Sequence, residues 1–275
     1  MWDAPRQRPE HFRINPYCSL AEGAVFLGLG GGGCAKSLRY HDASGNGNHG
    51  TLTGMAPPTD WVWIPELGRF GISGFSSTAY INFTSPTLID LPASGNFSVS
   101  FWRRDASSLY NACLLGWGGT DDLLIYGSSA ATDMVRYFWR DASGSSAYLG
   151  GDFNSFWHHY ALVSYGLTNT QIFMDGVSLA TSTANRSGAG PFTSLHIGNW
   201  ADDTTQDAAY STISDLVLHN RALSAAEIQQ LADPSNVMLS GLVLPPRRRL
   251  FAVTGAPPAF KPAWAQRRNR LIGAC

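Results

Sequence analysis

Short apolar runs, each broken off by a cluster of turn-forming residues, limit the fold of this chain more than any other feature. Ala24-Val-Phe-Leu27, Phe97-Ser-Val-Ser-Phe-Trp102, Tyr160-Ala-Leu-Val163 and Ile172-Phe-Met174 are rich in β-branched and aromatic residues and too short to form the apolar stripe of a helix. Gly, Ser, Asn, Asp and Pro separate them. Strands recurring with turn signals roughly every 8–12 residues mark an all-β sandwich. The pattern predicts strands over 24–27, 50–53, 70–75, 79–83, 97–103, 112–117, 122–126, 134–139, 146–149, 157–165, 170–175, 177–182, 193–198 and 211–219. Asp175-Gly176 lies between two of these runs and suits the type I′ turn of a two-residue hairpin.

Glu, a good former of exposed helices, occurs only at positions 10, 22, 66 and 227, while Gly occurs 29 times. One helix is signalled. Ser224-Ala-Ala-Glu227 forms a capping box, in which hydroxyl and carboxylate satisfy the orphan amides of a helix start. Ile228 and Leu231 then face the sandwich, and Asp233-Pro234 ends the helix.

A chain of 275 residues with 44% hydrophobic content buries a substantial core as one large β domain. The net charge of −1 exerts no global pull on nucleic acid. Cys18, Cys34, Cys113 and Cys275 show no CxxC spacing, which argues against zinc, although Cys18 and Cys34 are close enough in sequence to pair. No apolar run reaches the roughly 18 residues of a membrane span. The first residues lack the apolar segment of a secretory signal. Gly28-Leu-Gly-Gly-Gly-Gly33 contains a formal G-x-G-x-x-G, but it leads into a polar loop and not a helix, so a dinucleotide site is not expected.

The ends differ from the middle. Residues 1–23 carry Pro5, Pro9 and Pro16 with Arg6, Arg8 and Arg13, and residues 234–275 carry Pro245-Pro-Arg-Arg-Arg249 and Arg267-Arg-Asn-Arg270. The expected organisation is an extended arm over 1–23, a sandwich over 24–233 and a basic, Pro-rich arm over 234–275. Such arms bury little apolar area against an ordering cost of about 1–2 kcal/mol per residue, so their order requires a partner. Phe12, Tyr17, Leu250, Phe251, Phe260 and Trp264 are the expected anchors. Arg247, Arg248, Arg249, Arg267 and Arg268 offer bidentate contacts to a partner's carboxylates, and nucleic acid is the less favoured partner.

Asp42-Ala-Ser-Gly-Asn-Gly-Asn-His-Gly50 concentrates oxygen donors on a glycine-rich loop, as a calcium site would and as a tight surface turn would too. Asp-x-Ser-Gly-Asn-Gly-Asn-x-Gly-Thr-Leu, then Phe97–Trp102, then Trp157–Val163 with Ile172–Val177, then Ile213–Ile228, stand in an order that resembles the laminin G-like, concanavalin A-like jelly rolls. The resemblance covers roughly residues 24–232. It implies an antiparallel β-sandwich jelly roll with one short C-terminal helix and extended terminal arms. It also implies a calcium ion shared by Asp42 and Asp215, with Asn48 completing the site. The C-terminal tail resembles those of phage-encoded members.

Hydrolytic chemistry finds few candidates. Concanavalin-like glycosidases carry a Glu-x-Asp-x-x-Glu strand, which is not present, and Asp121-Asp122 and Asp202-Asp203 are neighbours that diverge in a strand. His158-His159 diverges likewise, one ring to the core and one outward. Sugar binding needs an exposed ring beside polar groups. Trp117, Trp139 and Trp200 lie near predicted strand ends, and Trp200 with Asp202 and Asp203 is the best candidate. The expected function is a non-enzymatic structural protein of a virion, oligomeric through its arms, displaying a lectin-like sandwich toward host glycans. A bacterial cell-surface carbohydrate-binding module is the alternative, and a glycan-active enzyme the third reading.

Overall fold

The computed structural model describes residues 13–15, 18–28, 38–57, 59–105, 112–119, 122–128, 134–140, 156–183, 191–200, 211–234 and 243–244. Its first strands are β1 (Arg13–Ile14), β2 (Ala24–Gly28), β3 (Arg39–Tyr40), β4 (Gly50–Thr53), β5 (Trp61–Ile64), β6 (Arg69–Ile72) and β7 (Tyr80–Phe83). A one-turn helix, α1 (Pro86–Ile89), precedes β8 (Phe97–Asp105), β9 (Ala112–Gly119), β10 (Asp122–Ser128) and β11 (Met134–Arg140). Then come β12 (His158–Tyr165), β13 (Asn169–Met174), β14 (Val177–Ser182), β15 (Phe192–Ile197) and β16 (Ser211–His219). Helix α2 (Ala225–Leu231) and β17 (Val243–Leu244) complete the order.

Among the described residues the strands form two large antiparallel sheets. One runs β11-β10-β9-β15-β7-β4-β3, and the other runs β14-β13-β12-β8-β16-β6-β5 with β2 also on β16. Alternation along β8 shows why the sheets stack. Phe97, Val99 and Phe101 enter the core between the sheets, while Ser98, Ser100 and Trp102 alternate with them. Trp117 fills that core and donates from Nε1 to the Leu88 carbonyl of α1 at 2.8 Å.

β16 needs a bulge to serve this core. Ile213, Leu216 and Leu218 all belong to it, and strict alternation would turn residues 213 and 216 to opposite faces. The register slips between Ser214 and Val217, where Asp215 takes φ 48°. Aspartate tolerates this left-handed conformation better than most residues.

Helix α2 covers the outer face of the eight-stranded sheet. Ile228 and Leu231 pack there with Leu20, Val163, Phe173, Val217 and Leu223. The expected capping box is present, with Glu227 N donating to Ser224 Oγ at 3.3 Å and Ser224 N to Glu227 Oε2 at 2.9 Å. Ser98, on the same outer face, accepts from Leu223 N at 2.9 Å and donates to Arg221 O at 2.8 Å, which fixes the helix's approach. The β13–β14 turn is of the expected kind, with Asp175 at φ 50° and Gly176 at φ 80°.

Several boundaries differ from expectation. The sandwich begins before residue 24, because Leu20 is fully buried and its carbonyl meets His219 Nε2 at 2.8 Å. β1 pairs with β17, Arg13 opposite Leu244 and Ile14 opposite Val243. Part of each arm therefore binds the other within the chain. Strand β5, absent from the sequence reading, pairs with β6 at the sheet's end. Cys18 is a free thiol, so the pairing with Cys34 is not formed. Strand 146–149 lies outside the described residues. No helix among the described residues is long and apolar enough to cross a membrane.

Candidate functional site

Among the described residues, strand β2 has a strand neighbour on one side only. It pairs with β16 from Gly28 opposite Leu216 to Ala24 opposite His219, and no strand among the described residues pairs with its other edge. The Asp42–Gly50 loop supplies that edge from its side chains. Asp42 Oδ1 accepts from Leu27 N at 3.0 Å and from Ser44 N at 2.8 Å. Asp42 Oδ2 accepts from Ser44 Oγ at 2.8 Å and from Asn48 N at 2.9 Å. Asn48 Nδ2 donates to Val25 O at 2.8 Å, and Asn46 Nδ2 to Ala24 O at 3.0 Å. Ala43 N closes the set on Leu27 O at 2.9 Å. The loop is thus an edge cap, one of the ways in which proteins cover open strand edges. Gly45 and Gly47 take φ 88° and 76° with nothing near a Cβ, so conformation and not crowding calls for glycine there.

Asp215, the expected partner of Asp42 around an ion, is committed elsewhere. Its carboxylate forms a buried ion pair with Arg69 on β6. Burial, and then the charge of Asp215, push the Tyr40 phenol above its ordinary range, and the Tyr40 hydroxyl donates to Gly28 O at 3.0 Å. A Cβ at Gly28 would lie 2.5 Å from that ring. Asn48 Oδ1, the remaining expected ligand atom, accepts from Ser85 Oγ at 2.5 Å. Four donors on Asp42, a guanidinium on Asp215 and a hydroxyl on Asn48 do not fit a shared calcium ion, which requires free oxygens. Among the described residues no cluster of three or more His, Cys, Asp or Glu is placed to hold a metal.

The expected aromatic sites redistribute. Trp200 is 9% exposed, and Trp117 is enclosed in the core, so neither ring presents a free face. Asp202, Asp203 and the Trp139 side chain lie outside the described residues, as do Phe12, Tyr17, Arg247, Arg248, Arg249, Leu250, Phe251, Phe260, Trp264, Arg267 and Arg268. The exposed tryptophan among the described residues is Trp63, at 48%. It stands on β5 directly opposite Phe70, with ring centroids 5.2 Å apart and planes at 72°. Trp61, two residues earlier on the strand, is buried beside Tyr40 at 5.8 Å. Trp-Val-Trp-Ile between Asp60 and Pro65 is the sequence signal for this strand.

The histidine pair diverges as expected. His159 is buried, and burial pushes it down to about 3. His158 stays half-buried with Nδ1 2.6 Å from Asp175 Oδ2.

The family model described as "Concanavalin A-like lectin/glucanases superfamily" matches residues 75–229, more than half of the chain. The chain belongs to that superfamily. The sandwich is accordingly lectin-like. Trypanosoma rangeli sialidase in complex with sialic acid matches with TM-score 0.58 and 16% identity, over 79% of this chain and 33% of the sialidase. The binding domain of Paraclostridial Mosquitocidal Protein 1 matches with TM-score 0.57 and 14% identity, over 79% of this chain and 53% of that one. The chain spans about a third of the first and about half of the second. At such identities the likeness shows the superfamily fold alone. Comparison with curated protein sequences gives no match.

Proposed function

We propose that this chain is a non-enzymatic structural protein of a virus particle, and that its lectin-like sandwich binds a carbohydrate at the Trp63 edge. The observation carrying the binding reading is the half-exposed Trp63 ring, backed edge-on by Phe70. A rigid ring of this kind offers an apolar face to a pyranose while its rim stays wet. The absence of catalysis is inferred from the buried carboxylates. Most glycosidases need two carboxyl groups, one of them free to protonate a leaving group. Asp42 and Asp215, the two buried carboxylates among the described residues, are each held by donors within the fold.

The virion reading rests on the ends of the chain. The antiparallel β1–β17 ladder makes the segment before Arg13 and the segment after Leu244 start from the same end of one ladder. The segment after Leu244 is strongly basic, with Arg247, Arg248 and Arg249 directly following the strand, whereas Arg6 and Arg8 before Arg13 are balanced by Asp3 and Glu10. A single attachment point suits latching onto an assembly. The test is binding of the full chain to a panel of surface polysaccharides, together with co-sedimentation with particles. Trp63→Ala is expected to weaken glycan binding about tenfold or more with unchanged thermal stability. Release of reducing ends by the wild-type chain would refute the non-enzymatic reading, and unchanged glycan affinity in Trp63→Ala would remove the ring from the site.

A further inference from the structure

The outer face of the eight-stranded sheet carries a row of buried nitrogens with no hydrogen-bond partner among the described residues. Trp102 on β8 stands directly opposite His159 on β12, and their ring centroids lie 5.5 Å apart. On the other side the Arg69 guanidinium carbon lies 5.8 Å from the Trp102 ring. Ile64, Leu67 and Trp157 pack around Trp102. Arg69, Trp102 and His159 are 3%, 4% and 2% exposed.

Arg69 uses Nη1 on Asp215 and Nη2 on Pro234 O at 3.5 Å. Its Nε finds no acceptor among the described residues. Trp102 Nε1, Trp157 Nε1 and His159 Nδ1 find no partner among them either. Buried polar groups are nearly always hydrogen-bonded, and such a concentration in one layer points to an occupant that is not protein.

We propose that this layer is an enclosed hydration site. Ordered water there accepts from Arg69 Nε–H and Trp102 Nε1–H and donates to His159 Nδ1. The donor and acceptor count selects water. Arg69 Nε and the indole nitrogens can only donate, so the occupant must be an oxygen acceptor. A water offers two lone pairs and two hydrogens, and buried waters typically make about three hydrogen bonds. Trp157 Nε1 supplies a further donor and room in the count for a second water.

An anion fits less well. The Arg69 charge is already matched by Asp215, so an added negative charge would be buried without a counter-ion. His159 does not supply one, since burial holds it far below its ordinary range and the ring stays neutral. A neutral ring accepts at Nδ1 when it carries its proton on Nε2, the tautomer that the proposal requires.

The site has a structural consequence. Arg69 pairs in register with Ile64 at the turn end of the β5–β6 hairpin, one residue from Trp63 and Phe70. Water shared among Arg69, Trp102 and His159 ties that hairpin to β8 and β12 in the middle of the sheet. This holds whether or not Trp63 meets a sugar.

The test is solution NMR on the wild-type chain, which needs no substitution to fold. Long-range nitrogen–proton correlation should show His159 as the Nε2–H tautomer, with Nδ1 unprotonated and hydrogen-bonded. The Trp102 and Arg69 side-chain N–H protons should show cross-relaxation with water of the sign that marks long residence. Trp102→Phe removes one donor and should abolish the indole cross-peak while the His159 Nδ1 resonance shifts. An Nδ1–H tautomer at His159 would overturn the proposal. So would Trp102 and Arg69 protons without a long-lived water contact.

Discussion

Asp42→Ala separates the edge cap from an ion site. The carboxylate answers Leu27 N, Ser44 N, Asn48 N and the Ser44 hydroxyl. Alanine leaves the Leu27 and Asn48 amides buried with no acceptor, and each stranded donor costs about 1–3 kcal/mol. The two together give about 2–6 kcal/mol, with about 4 kcal/mol as the central expectation. A domain of this size loses about 2–4 °C of Tm per kcal/mol, so the melting point should fall by about 8–16 °C. Asp60→Ala is the control. Asp60 accepts from the exposed Ala56 amide, which water can satisfy instead, so the loss should be about 1 kcal/mol or less. The assay is urea and thermal unfolding of each variant, once with calcium and once with a chelator. The edge cap predicts that calcium changes neither wild type nor variant. A wild-type Tm that drops on chelation, with the drop missing in Asp42→Ala, would refute it. So would a loss below about 1 kcal/mol in Asp42→Ala under both conditions.

Three further expectations follow from the same contacts. Bonding to Arg221 and then to Ser224 holds the Glu227 carboxyl down to about 2, so its stabilisation is full above the ordinary carboxylate range and fades as pH falls toward 2; urea unfolding from pH 6 to pH 2 should show a shallower acid loss in Glu227→Gln. Burial depresses His159 to about 3 and His219 to about 4, so the unfolded chain binds more protons, and stability should fall as pH drops from about 6.5 toward 4, with His219→Gln reducing that slope. A chain ending at Pro234 should keep the circular dichroism of the sandwich, since α2 and its capping box are retained, yet fail to sediment with particles; normal assembly of the truncated chain would count against the latch.

The fold was largely legible because its signals are local. Period-two alternation marks β8, Asp175-Gly176 marks a hairpin through its own backbone preference, and Ser224 with Glu227 marks a helix start within one turn. What escaped depends on partners distant in sequence. The Trp61–Ile64 run reads as apolar whether it is a strand or a loop; its pairing with Arg69–Ile72 makes it a strand and leaves Trp63 exposed. Trp200 stands beside acidic residues in sequence, yet burial is set by layers its neighbours do not reveal. Leu20 reads as part of an arm in sequence because its burial depends on His219 and α2, far along the chain.

The Asp42 loop shows why residue types alone do not choose between an ion site and an edge cap. Holding calcium and capping a strand edge both call for a carboxylate, amides and positive-φ glycines, so the two functions share one composition. They differ in which atom of each amide is used. A calcium ligand offers its oxygen, whereas Asn46 and Asn48 turn their Nδ2 groups to the Ala24 and Val25 carbonyls. The demand for those donors arises from β2, which among the described residues pairs with β16 on one edge and with no strand on the other. An unpaired strand edge is a property of topology, not of the nine residues that answer it. Sheet order therefore has to be known before a polar glycine-rich loop of this kind can be assigned to a metal or to the backbone.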